Sequence, residues 1–127
     1  MRSLIIASAI LAASALTGCN SAPQWSSGNY EVYWISGSDK LKLGVDVGGG
    51  TQALVMPRVI AVGEDVRWIV AKRHPDNDQT RTEYFYLPKR NRDEQLKGAD
   101  VAIGPFSETE FELKTKELNL PSFSRYF

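Results

Sequence analysis

Short connections constrain this chain more than any other feature. Between Tyr30 and Pro88, runs of aromatic and β-branched residues are separated by only a few residues at a time. The first is Tyr30-Glu31-Val32-Tyr33-Trp34-Ile35, a composition suited to a pleated, half-buried surface. Ser36-Gly37-Ser38-Asp39 then supplies turn chemistry. Beyond it Leu41, Leu43, Val45 and Val47 alternate with Lys42, Gly44 and Asp46. A period of two marks a strand with one buried face, so the two runs read as a hairpin. A third apolar run, from Ala53, is interrupted by Pro57. Arg58-Val59-Ile60-Ala61-Val62 and Val66-Arg67-Trp68-Ile69-Val70-Ala71-Lys72 read as a second hairpin across Gly63-Glu64-Asp65. After the polar turn His74 to Asp78, Thr80 to Leu87 forms a further strand that Pro88 stops. Parallel neighbours need crossovers of about a dozen residues or more. These connections are too short, so the expected core is an antiparallel meander of about five strands.

The period changes near the end of the chain. Ser107-Glu108-Thr109-Glu110 is a capping box, with Ser107 as N-cap and Glu110 reaching back to it. Phe106 and Phe111 are spaced as a hydrophobic staple. Glu110 with Lys114, and Glu112 with Lys116, stand four apart in the favoured order. Acids fill the first turn and lysines the later ones, as the helix dipole prefers. Asn119 and Pro121 end the element. Phe111, Leu118 and Leu120 are the expected contacts with the sheet, with Phe123 and Phe127 tucked in behind them. The fold class is therefore α+β: an antiparallel sheet with one C-terminal helix packed on it.

The first residues bear on location. Arg2 precedes an apolar stretch from Leu4 to Leu16, shorter than the ~20 residues of a spanning helix. A cleaved signal peptide, residues 1–18, fits this pattern. Leu16-Thr17-Gly18-Cys19 resembles the bacterial lipobox. The resemblance implies a diacylglycerol thioether on Cys19, cleavage before it and acylation of its new amino group. Cys19 is the one cysteine of the chain, and an unpaired thiol is a liability in an oxidising compartment. Lipidation removes that liability, and several acyl chains anchor stably where one does not. Residues 19–29, with Trp25 incidental among Ser, Gly and Pro, read as a lipidated tether, and residues 30–127 as a single domain. Asn20, where an Asp would retain the protein at the inner membrane, favours an outer-membrane position facing the periplasm.

Several motifs bear on chemistry. Val45-Asp46-Val47-Gly48-Gly49-Gly50-Thr51 resembles the phosphate-binding loop of the actin and Hsp70 type ATPases. Those enzymes close two large lobes on the nucleotide, which residues 19–127 cannot build. No helix signal follows the glycines, and no Lys makes a Walker loop. An inter-strand turn using glycine's φ freedom is the better reading, so no nucleotide or other cofactor is expected. Asp76-Asn77-Asp78 begins like a calcium loop, but Arg81 and Leu87 stand where Gly and an acid belong. His74 is the one histidine, which rules out a multi-His metal site, and nothing places a nucleophile beside it. No metal or catalytic residue is assigned. The formal net charge is +0, which gives no general attraction to nucleic acid. Lys72, Arg73 and His74 form a basic cluster, and Tyr84 and Tyr86 share one strand face. That face would be an aromatic interaction surface unless the helix covers it. These five residues are the candidate interaction surface.

The order of YEVYWIS, PRVIAVGEDVRWIVAKRHP, TEYFYLPK and GPFSETEFELKTKELNLP resembles a family of small uncharacterised bacterial lipoproteins. The likeness spans most of residues 30 to 121, with residues 89–100 longer than the family's usual connection. It implies a fold and a compartment and transfers no catalytic residue. The functional expectation is a bacterial envelope lipoprotein acting as a noncatalytic protein-interaction module of inhibitor or immunity type. Its partners would be the membrane, through the lipid, and an envelope or periplasmic protein. The alternatives are an envelope-maintenance lipoprotein and a small periplasmic hydrolase.

Overall fold

The computed structural model describes residues 23–34, 40–90 and 102–127. The signal segment, Cys19, the Ser36–Asp39 turn and most of the charged segment 89–100 lie outside the described residues. Among the described residues, nine strands form two antiparallel sheets. The first sheet runs β1 (Trp25–Ser27), β2 (Tyr30–Tyr33), β3 (Lys42–Asp46) and β4 (Thr51–Val55), in sequence order. The second contains β5 (Val59–Glu64), β6 (Trp68–Arg73), β7 (Glu83–Pro88), β8 (Ile103–Phe106) and β9 (Arg125–Tyr126), in the order β8-β7-β6-β5-β9. One α-helix, α1 (Glu108–Leu118), follows β8 and lies over β7 and β8.

The α+β class and the helix-covered meander hold. The strands divide between two sheets, however, because β6 and β7 are apolar on both faces. Ile69, Ala71, Phe85 and Leu87 point one way and pack against Tyr30, Val32, Leu43, Val45 and Val55 of the first sheet. Val70, Tyr84 and Tyr86 point the other way, against Phe111, Leu118, Leu120 and Phe123. One helix covers only one face of a sheet, so the opposite face requires a second layer. Pro57 lies at the crossing, between β4 of one sheet and β5 of the other. Trp25, expected in the tether, pairs with Val32 in β1 and packs against the inter-sheet core. The domain therefore begins earlier than Tyr30.

The helix ends form as their residues dictate. Ser107 Oγ accepts from the Glu110 N–H at 3.2 Å, and Glu110 Oε1 accepts from the Ser107 N–H at 2.8 Å. Glu110 is thereby occupied by the cap, and Lys114 pairs with Glu117 instead, at 3.4 Å. Asn119 takes the left-handed conformation, φ 56° and ψ 53°, that closes the helix.

Two turns differ in detail from expectation. The glycine-rich stretch is a tight β3–β4 turn, with the Val47 N–H bound to the Gly50 carbonyl at 3.0 Å and the Gly48 N–H to Asp46 Oδ1 at 2.8 Å. Thr51 and Gln52 already belong to β4. Only Gly48 of the three glycines needs its freedom, at φ 103°; a Cβ on Gly49 or Gly50 would meet nothing. The β5–β6 turn falls later than Gly63. Asp65 Oδ1 accepts from the Arg67 and Trp68 N–H groups at 2.8 and 2.7 Å, and these bonds hold its carboxyl below the usual range. Gly63 lies inside β5, where a Cβ would run into the Ser122 carbonyl.

A polar clasp joins the sheets at one end. Glu64 Oε1 accepts from Ser27 Oγ of β1 at 2.5 Å and from Lys89 Nζ at 2.7 Å. Burial opposes ionisation of Glu64. The Lys89 and Ser27 hydrogen bonds and the Lys89 charge together outweigh it and hold the carboxyl below its usual value of 4.5.

Two tests follow from these contacts. Gly48→Ala is expected to cost about 1–2 kcal/mol in urea unfolding, while Gly49→Ala stays within about 0.5 kcal/mol. A depressed native pKa stabilises the fold fully above the unfolded value and less as pH falls through the native one. Stability contributed by Glu64 is therefore lost below about pH 4.5. Glu64→Gln is expected to flatten the acid limb of a stability-against-pH curve.

Candidate functional site

Alternation along β6 separates the basic cluster that the sequence presents as one. Trp68, Val70 and Lys72 face the helix layer, whereas Ile69, Ala71 and Arg73 face the first sheet. Lys72 and Arg73 therefore serve different concavities.

Arg73 lines a cleft of about 540 Å³ at the passage between the sheets. Its Nε bonds Glu83 Oε1 at 2.9 Å and its Nη1 bonds the Pro57 carbonyl at 2.9 Å. Arg58 follows that Pro and bonds Asn77 Oδ1 at 3.3 Å. The backbone between them is continuous with the ladder, since Arg58 and His74 exchange N–H···O bonds of 3.2 and 2.9 Å. Lys40 and the half-exposed Met56 complete the lining with Asp76. Lys40 makes no ion pair among the described residues. Three cations thus meet two carboxylates around the opening, Asp76 and the Glu83 paired with Arg73, and both guanidinium groups are held in place by acceptors. Such a surface suits an acidic partner.

His74 does not join this cluster as a free base. Its Nδ1 lies 2.8 Å from the Arg81 carbonyl. A carbonyl only accepts, so Nδ1 carries the proton and the ring is pinned at the strand end. The acidic turn beside it is self-contained: Asp78 Oδ1 accepts from the Thr80 hydroxyl at 2.6 Å and its N–H at 2.9 Å. Those two bonds lower its carboxyl pKa.

On the opposite face the helix covers Tyr84 and Tyr86, which are 9% and 8% exposed. Tyr84 stacks on Phe111 with centroids 5.1 Å apart, and Tyr86 stacks on Phe106 at 5.9 Å. Trp68 meets Tyr86 edge-on at 5.5 Å; its indole N–H is buried without a hydrogen-bond partner. Burial, then the charges of Glu108 and Glu112, push the Tyr84 hydroxyl pKa up. Lys72 caps this aromatic layer, with Nζ 4.9 Å from the Phe123 centroid, 5.5 Å from Tyr126 and 5.6 Å from Tyr84. Tyr84 and Lys72 therefore meet, Tyr86 packs with Trp68 and Phe106 instead, and Arg73 and His74 belong elsewhere.

Sequence reading missed Lys40, Met56 and Arg58 on one side, and Tyr126 on the other. Strand alternation at Lys72-Arg73 was the available signal for the separation of the two faces. The convergence of Lys40, Arg58 and Arg73 is tertiary and has no local signature.

No curated protein and no solved structure matches the chain. Residues 27–124 match the family described as "Protein of unknown function (DUF3997)", and the chain belongs to that family.

Proposed function

We propose that this protein is a bacterial envelope lipoprotein that works by binding another protein, without catalysis, from a lipid tether on Cys19. The observation that carries the reading is how little chain separates the lipobox-like Leu16-Thr17-Gly18-Cys19 from the fold. Only residues 20–24 stand between Cys19 and β1. Fully extended, that tether reaches about 18 Å. The domain then works close to the membrane surface, and its partner must be reachable there.

The cleft of Lys40, Arg58 and Arg73 is the docking face in this reading. β1 and β4 are opposite edges of the first sheet, three strand spacings or about 14 Å apart. The tether enters at β1, and the cleft opens just beyond β4. In this reading the partner is a periplasmic protein with an acidic surface. Fixed guanidinium groups at an open cleft favour binding to such a surface, as an inhibitor or immunity-type protector requires.

Cys19→Ser is expected to move the protein from the membrane fraction to the soluble fraction; continued processing and membrane retention would sink the tether. For the cleft, cross-linking in intact envelopes should capture one acidic partner in a salt-sensitive way. The double variant Lys40→Glu, Arg58→Glu, folded by circular dichroism, should lose it. Failure to recover a specific partner, or equal capture by the variant, counts against the docking face.

A further inference from the structure

Lys72 occupies a cavity of about 360 Å³ between the first turns of α1, the outer face of the second sheet and the segment leading into β9. Its ammonium faces three rings and makes no hydrogen bond or ion pair among the described residues. Glu108 and Glu112 line the helical wall of the same cavity, one turn apart on α1. Neither forms an ion pair among the described residues. One cation and two anions thus line one open cavity without forming an ion pair. Lys72 is half-buried, Glu108 and Glu112 are exposed along the rim, and each of these groups has unused hydrogen-bonding capacity.

The charge arrangement selects among ligands. A simple anion drawn to Lys72 is repelled by Glu108 and Glu112. A simple cation drawn to the carboxylates and rings is repelled by Lys72. A molecule bearing both charges on a short linker satisfies both walls. The aromatic faces of Tyr84, Phe123 and Tyr126 suit the linker and the ammonium, since ring faces attract cations. The volume is at the small end of ligand sites. We infer that this cavity binds a small zwitterion, with its carboxylate or phosphate on Lys72 and its ammonium between Glu108 and Glu112. An amino acid and an aminoalkyl phosphate share this chemistry.

Binding involves the tail as well. Phe123 and Tyr126 belong to a segment that joins the sheet through a short ladder, pairing Ala61 with Tyr126 and Val62 with Arg125, with the Ser124 and Phe127 N–H groups on the Val62 and Ile60 carbonyls. A ligand touching both rings ties that segment to α1. The site lies on the opposite face of the second sheet from the Arg73 cleft and does not rest on the proposed docking function.

The test is an NMR titration of the full chain in a non-ionic detergent. The probes are β-alanine and phosphoethanolamine, with propionate, inorganic phosphate and ethylamine as single-charge controls. Saturable shifts at the Lys72, Tyr84, Phe123 and Tyr126 amides are expected with at least one zwitterion, at a Kd of about 1 mM or below. The single-charge controls should bind at least about tenfold more weakly. Lys72→Gln and the double variant Glu108→Gln, Glu112→Gln should each weaken binding by about tenfold or more, and Lys40→Gln should leave it unchanged. Tighter binding of β-alanine identifies an amino-acid site, and tighter binding of phosphoethanolamine a headgroup site. No saturable binding by either zwitterion overturns the inference. So does equal binding of the single-charge controls, or undiminished binding by a Lys72→Gln protein whose spectrum remains folded.

Discussion

Burial of the second sheet on both faces is the constraint from which the rest of this structure follows. A strand covered on both sides must be apolar at successive positions, and Tyr84-Phe85-Tyr86-Leu87 satisfies that with two kinds of side chain. Phe85 and Leu87 are directed into the inter-sheet core, where Val32, Leu43 and Val45 meet them. Tyr84 and Tyr86 are directed outward, where rings from α1 and its flanks stack on them. The helix, the first sheet and the tail each close part of this surface. Removing any one layer would expose a face built for contact.

The same alternation distributes charge. Lys72 and Arg73 are neighbours in sequence, yet one lies over aromatic rings and the other is fixed by Glu83 and a backbone carbonyl. A sheet of this kind can carry two chemically unlike surfaces within one strand. The polar clasp of Ser27, Glu64 and Lys89 adds a directional link between layers, whereas apolar packing is largely non-directional.

Local features were legible in the sequence to the extent that their physics is local. The capping box at Ser107 and Glu110, the stop at Asn119 and the β-strand runs formed where their residues indicated. The division into two sheets was not legible, because an apolar run buried on both faces carries no periodicity that names its second partner. Trp25 looked incidental for a related reason: its short strand is defined by pairing with Val32, far more than by its own neighbours. For the candidate sites, adjacency misled. Lys72-Arg73-His74 looked like one patch, while Lys40, Arg58 and Arg73 come together only once the chain crosses between sheets at Pro57.

The short strand β9 has a consequence for how this protein remains separate from its neighbours. β5 is among the most apolar strands, and along its outer side the short segment from Ser124 to Phe127 completes the ladder. An open strand edge is a template on which another chain can pair. Arg125, with its guanidinium 5.1 Å from the Phe127 ring, adds charge at that edge, the kind of feature that discourages sheet extension. The tail is therefore a guard on the sheet as well as a wall of a cavity. Loosening it would uncover the β5 edge, so a four-residue contact from Ser124 to Phe127 keeps that edge closed.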